Sequence, residues 1–187
     1  VVRQGLRPDA AGEALNTDQP AIYERMRVMA INVGDRLPST KFRVMTPEGP
    51  GWKTTDEIFK GKKVALFAVP GAYTGTCHKQ HLPSVVQNID ALKAKGIDTI
   101  AVTAVNDISV LDAWKNVSNA GSVEFLADGN ADFAKAIDLS LDLTGAGMGT
   151  RSKRYSMLVD DGVVKTINVE APGKFEVSGG DTLLKQL

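Results

Sequence analysis

A chain of 187 residues, 43% apolar and 24% charged, has room for one ordinary domain and enough apolar content to hide roughly 70% of its unfolded surface. Its 22 basic and 22 acidic side chains cancel, which leaves no basic excess to grip a phosphate backbone and argues against a nucleic-acid partner. The longest apolar run, residues 64–70, is far short of the ~20 residues a membrane span needs, so a soluble protein with no membrane partner is expected.

In chain order, residues 1–29 mix Arg3, Arg7, Arg25 and Arg27 with Asp9, Glu13, Asp18 and Glu24. That balance is too acidic for a transit peptide, and no apolar stretch resembles a signal peptide. An amino-terminal arm or extension is expected over 1–29, with the domain proper over 30–187. Residues 62–69 open on two lysines and continue as an unbroken apolar run from Val64 that ends at Pro70-Gly71, the pattern of a strand buried on both faces. A loop over 72–76 follows. Leu82, Val85, Val86, Ile89 and Leu92 then recur at helical spacing, predicting a helix from about Cys77 to just before Gly96, with a kink where Pro83 removes a backbone donor. Residues 97–105 predict a second buried strand. A helix through Val110, Leu111, Trp114 and Val117, a strand over 123–126 and a short helix over 132–137 come next. Residues 155–159 and 163–169 flank Asp160-Asp161-Gly162 and predict a hairpin, because Asp-Gly suits the positive backbone angles of a tight turn. Strands alternating with helices and closing on a hairpin imply an α/β fold, a central mixed sheet flanked by helices.

Cys77 is the one cysteine. A disulfide scaffold and a sulfur-rich zinc site are therefore excluded, and any redox chemistry at this thiol must finish on another molecule. A lone thiol fits a reducing compartment, with the cytoplasm the expected location. Its predicted place at the first turn of a helix sets it beside unpaired backbone donors and the positive helix end, both of which favour a thiolate. The plain alternative is a buried structural thiol. Thr74 and Thr76 add hydroxyls within three residues, and Gly71 and Gly75 let backbone amides approach a small ligand. Taken singly each threonine reads as a helix cap; with Cys77 they read as a site for two oxygens.

The run Pro70-Gly71-Ala72-Tyr73-Thr74-Gly75-Thr76-Cys77 resembles the Pro-x-x-x-Thr-x-x-Cys motif of peroxiredoxins. Lys60-Gly61-Lys62-Lys63, His81-Leu82-Pro83, Val105-Asn106-Asp107 and Lys153-Arg154-Tyr155-Ser156-Met157 are similar to the peroxiredoxin 5 group, which includes the plant type II enzymes. The likeness runs from about Ile31 to Leu187. It implies a thioredoxin-like fold and a thiol peroxidase without a cofactor or metal. Cys77 would be the peroxidatic cysteine, Thr74 would hydrogen-bond the peroxide with Thr76 nearby, and Pro70 would shield the sulfur. Arg154, rather than Arg151, would be the arginine beside thiolate and peroxide. Strand alternation alone places Arg154, Ser156 and Leu158 on one face without saying what that face meets.

Two departures stand out. Gly75 occupies a position where many members carry proline. The carboxyl-terminal stretch that holds a second cysteine in internally resolving members reads here Gly173-Lys174-Phe175-Glu176-Val177-Ser178. A one-cysteine mechanism is therefore expected, acting on hydrogen peroxide and alkyl hydroperoxides, with glutathione and glutaredoxin, or else thioredoxin, as reductant. The family also implies a homodimer. A monothiol disulfide-exchange or glutathione-exchange enzyme, and a non-enzymatic redox sensor or holdase, are the competing readings. Cys77, His78 and His81 are too few ligands for a closed metal site, and His81 is expected to tie the loop or helix to its surroundings. Gly145-Ala146-Gly147-Met148-Gly149 does not sit between a strand and a helix as a dinucleotide fingerprint would, and is expected to be a flexible connection.

Overall fold

The computed structural model describes residues 30–187; the expected arm over 1–29 lies outside them. Its strands are β1 (Lys41–Thr46), β2 (Gly49–Thr54), β3 (Lys63–Ala68), β4 (Thr99–Ala104), β5 (Glu124–Ala127), β6 (Ser140–Leu143), β7 (Gly149–Ser152), β8 (Tyr155–Asp160) and β9 (Val163–Val169). Seven of them form one sheet in the order β2-β1-β5-β4-β3-β8-β9. The centre, β5-β4-β3, is parallel, while β1, β2, β8 and β9 join antiparallel. β6 and β7 make a separate hairpin. The helices are α1 (Thr55–Phe59), α2 (Leu82–Gln87), α3 (Ile89–Ala94), α4 (Ile108–Val117), α5 (Asp132–Ala136) and α6 (Gly180–Lys185). The fold is a mixed α/β sheet with helices on both faces.

Period-two alternation along β3 makes two cores from one apolar run. Ala65 and Phe67, followed by Val69, pack with Leu82 and Val85 of α2, Leu92 of α3, Leu111 and Trp114 of α4 and Leu183 of α6. Val64, Leu66 and Ala68 pack on the opposite face with Ile58 and Phe59 of α1 and Phe133 of α5. Burying each large side chain contributes ~1.5–3 kcal/mol, which makes this double-sided strand the axis of the fold. β8 alternates across the same two faces: Leu158 joins the first core, and Tyr155, Met157 and Val159 join the second.

Local chemistry sets the element ends. Asp161 (φ 48) and Gly162 (φ 75) carry the hairpin turn between β8 and β9, as Asp-Gly predicts. Asp107 caps α4 by accepting from Val110 N at 3.0 Å. Thr54 and Glu57 form a reciprocal capping box at α1, a readable Thr-x-x-Glu signal. At Gly180 an added Cβ would meet the Ser84 carbonyl oxygen at 2.5 Å, so only glycine lets α6 lie this close to α2.

One local expectation is corrected. The irregularity in the long helix precedes Pro83: residues Cys77–His81 form a π-helical turn in which Leu82 N donates to Cys77 O, and a second break falls at Asn88. Pro83 sits in the first turn of α2, where a missing donor costs little. The glycine run 145–149 forms the connection between β6 and β7, overlapping a short 3-10 turn, Thr144–Ala146. Among the described residues, no helix is long and apolar enough to cross a membrane.

Candidate active site

The chain leaves β3 through a loop held on several sides. Val69 N donates to Thr103 O at 3.1 Å, and Ala72 N donates to the Asn106 side chain at 2.9 Å. Tyr73 adopts φ 60. The Thr74 hydroxyl donates to Gly71 O at 2.9 Å, so it does not cap the helix. Its lone pairs remain as acceptors, and its carbonyl takes the first helical bond, from His78 N at 2.9 Å. The helical run starts at Gly75, so the amides of Gly75, Thr76 and Cys77 precede that bond and have no acceptor within the helix. The Thr76 side chain makes no capping bond.

Arg154 meets Cys77 on one face of the sheet. It enters from the start of β8 on the face shared with Leu158, and Nη2 donates to Cys77 Sγ at 3.4 Å. Arg154 Nη1 lies 3.1 Å from His81 Nδ1, and His81 Nε2 lies 3.0 Å from Ser178 O. A guanidinium only donates and a carbonyl only accepts, so His81 is the neutral tautomer protonated on Nε2. Burial first, and then the Arg154 charge, push its pKa down to about 3. His81 thus ties the helix to its surroundings, and it does so through the arginine.

Arg151 does something different. Its Nε donates to Met148 O at 2.8 Å and its Nη1 to Val105 O at 3.0 Å, clamping two loops together without reaching the sulfur. Pro70 and Arg154 share the wall of an adjoining cleft of about 320 Å3 with Leu141, Leu143, Val169 and Pro172. Cys77 itself is 1% exposed. Depth alone would describe an inert structural thiol, but the Arg154 guanidinium donating to the sulfur sets a positive charge directly against it. Among the described residues, no group of three or more His, Cys, Asp or Glu side chains could hold a metal ion.

The redoxin family model matches residues 32–184. A curated relative, peroxiredoxin-2E-2, chloroplastic, of Oryza sativa subsp. japonica, is 42% identical over 166 residues, covering 86% of this chain and 74% of that protein. The chain belongs to the redoxin family as a peroxiredoxin. Peroxiredoxin-2C of the same plant is 41% identical and is covered over 98% of its length, with 84% of this chain. Among solved structures, reduced Prx3 in complex with H2O2 from Vibrio vulnificus superposes with a TM-score of 0.81 at 49% identity, covering 83% of this chain and 98% of that one. These relatives establish the thioredoxin-like fold and thiol peroxidase activity of the peroxiredoxins.

One group in this peroxiredoxin escapes the sequence altogether, and the role of a second escapes it too. Glu170 Oε1 accepts from Glu176 N, Val177 N and Ser178 N, each at 2.8 Å, and from Ser178 Oγ at 2.9 Å. Burial raises its pKa, but those bonds outweigh it and hold the carboxyl below its ordinary value. Asn106 is the other, bonded to the loop before Cys77. Glu170 belongs to none of the motifs read in the sequence, and Asn106, though part of Val105-Asn106-Asp107, has no role there; only tertiary structure brings it to the loop before Cys77.

Proposed function

We propose that Cys77 is the peroxidatic cysteine of a one-cysteine peroxidase acting on hydrogen peroxide and alkyl hydroperoxides. The observation that carries this reading is the Arg154 Nη2 donor 3.4 Å from Cys77 Sγ. The thiolate attacks the terminal oxygen of ROOH. An S–O bond forms as the O–O bond breaks, and the leaving alkoxide takes up, through solvent, the proton that Cys77 gave up on ionising, to depart as ROH, or as water from hydrogen peroxide. Arg154 and the amides of the first turn offset the charge moving onto the leaving oxygen. Thr74 and Thr76 flank that oxygen pair, with the Thr74 hydroxyl switching its partner from Gly71 to the peroxide. Pro70 keeps bulk water from the sulfur.

The sulfenic acid is then reduced from outside. An external thiol displaces water to give a mixed disulfide, and a second thiol releases Cys77. Cys77 being the one cysteine of the chain supports this course, with glutathione and glutaredoxin as the donor and thioredoxin as the rival. A reducing compartment such as the cytoplasm suits the same lone thiol. A homodimer completes the reading, and the exposed Tyr73 and Val117 supply apolar side chains for the contact.

Rapid mixing of reduced protein with stoichiometric peroxide tests the assignment. Cys77→Ser should abolish fast consumption, and Thr74→Val should slow it about tenfold, the worth of one hydrogen bond to a charged group. Full speed in either variant refutes the corresponding role. Turnover with glutathione plus glutaredoxin, set against thioredoxin plus its reductase, identifies the donor.

A further inference from the structure

The bonds around Arg154 close into a ring. Glu170 N donates to Arg154 O at 3.0 Å, and Glu170 Oε1 gathers the 176–178 segment through three amides and the Ser178 hydroxyl. Ser178 O meets His81 Nε2, and His81 Nδ1 returns to Arg154 Nη1. One acidic residue therefore holds both ends of the arginine, its main chain directly and its guanidinium through Ser178 and His81. Phe175, just before that segment, lies 5.0 Å from the His81 ring and 5.9 Å from the Arg154 guanidinium, packing against both partners of the His81–Arg154 bond. The other terminal nitrogen, Nη2, points out of the ring at Cys77 Sγ.

A planar guanidinium can serve a developing oxyanion only if its orientation is fixed before the reaction, because reorienting it would cost part of what it contributes. We propose that Glu170 is a positioning residue for peroxide reduction: by folding the 176–178 segment onto its carboxylate it sets Ser178, His81 and hence the aim of Arg154 at the sulfur. This rests on the roles given above to Cys77 and Arg154. The ordinary alternative is a loop staple, which would stabilise the segment without any link to the arginine.

A double-mutant cycle separates the two, with the rate of Cys77 oxidation by hydrogen peroxide measured by stopped flow on the full chain. Glu170→Leu is expected to slow oxidation by about tenfold or more while Arg154 is present, and by less than about twofold in an Arg154→Leu background. Glu170→Gln, which keeps an acceptor oxygen without the charge, should lose only about threefold and again show nothing further once Arg154 is gone. That graded pair keeps the test alive should the leucine variant fail to fold. Equal slowing in both backgrounds, or none in either, overturns the proposal. If Arg154→Leu alone oxidises at the parent rate, the role given to Arg154 falls and this inference with it; a slow Arg154→Leu beside fast Glu170 variants refutes only the inference.

Discussion

The two faces of the sheet use the same strands for different ends. On the face of α1 and α5, β8 contributes Tyr155, Met157 and Val159 to a core whose work is packing. On the face of α2, α4 and α6, the alternate residues of the same strand lead from Leu158 back through Ser156 to Arg154, the residue just before the strand, which bonds a buried sulfur and a buried imidazole. A strand that changes character with every residue lets one side be stiff and apolar while the other carries a charge at its rim. Stability and chemistry are thereby assigned to different residues of one element, and substitutions should separate them.

The largest effect is expected on the packing face. Phe133, 1% exposed and 5.0 Å from the Phe42 ring, should cost ~3–5 kcal/mol in denaturant unfolding when changed to alanine, while the peroxide rate per folded molecule stays at the parent value. A fall in that rate would break the division between the faces. Next comes Arg154→Leu, expected to slow Cys77 oxidation by about a hundredfold with an unfolding midpoint close to the parent's.

A pH series sharpens the comparison further. His81 has its pKa lowered to about 3 from 6.5, so the folded state refuses a proton that the unfolded chain accepts. Its contribution is whole above pH 6.5 and is lost as pH falls toward about 3, at up to ~1.4 kcal/mol per pH unit. Glu170, also held low, adds a loss of the same sign in the acid range. Urea unfolding at pH 7 and pH 5 should therefore show His81→Asn losing about 2 kcal/mol less than the parent over that interval. An equal loss in both proteins would contradict the neutral, buried imidazole. The smallest effect belongs to Tyr155, whose buried hydroxyl has no partner among the described residues. Tyr155→Phe should leave the peroxide rate alone and raise stability by up to ~1 kcal/mol.

Much of this was legible in the sequence. The apolar runs of β3 and β4, the helical spacing of α4 and the Asp161-Gly162 turn announced the centre of the sheet, because buried strands and tight turns leave strong local marks. β1, β2, β6 and β7 left weak ones: β2 reads Gly-Pro-Gly-Trp-Lys-Thr and is half exposed, and α6 opens on glycine where α2 comes close. The loop residues and Arg154 were nameable from the Pro-x-x-x-Thr-x-x-Cys and Lys-Arg-Tyr patterns, but their meeting was not, since strand alternation gives a face and not its neighbour. Glu170 was invisible for a related reason. An acid between a strand and a loop reads as solvated, and only the fold brings three amides of the following segment onto its oxygen.

The strand order has a consequence for how the chain reaches this shape. β1, early in the sequence, finds its inner neighbour at Ala127 of β5, and β3 is flanked by β8, with Lys63 opposite Asp160. Neither edge of the central ladder can be completed from nearby sequence, so the first half of a nascent chain must wait with open strand margins for partners not yet made. Assembly should accordingly be slow beside that of a helical bundle of equal length, and most vulnerable to self-association before β8 arrives.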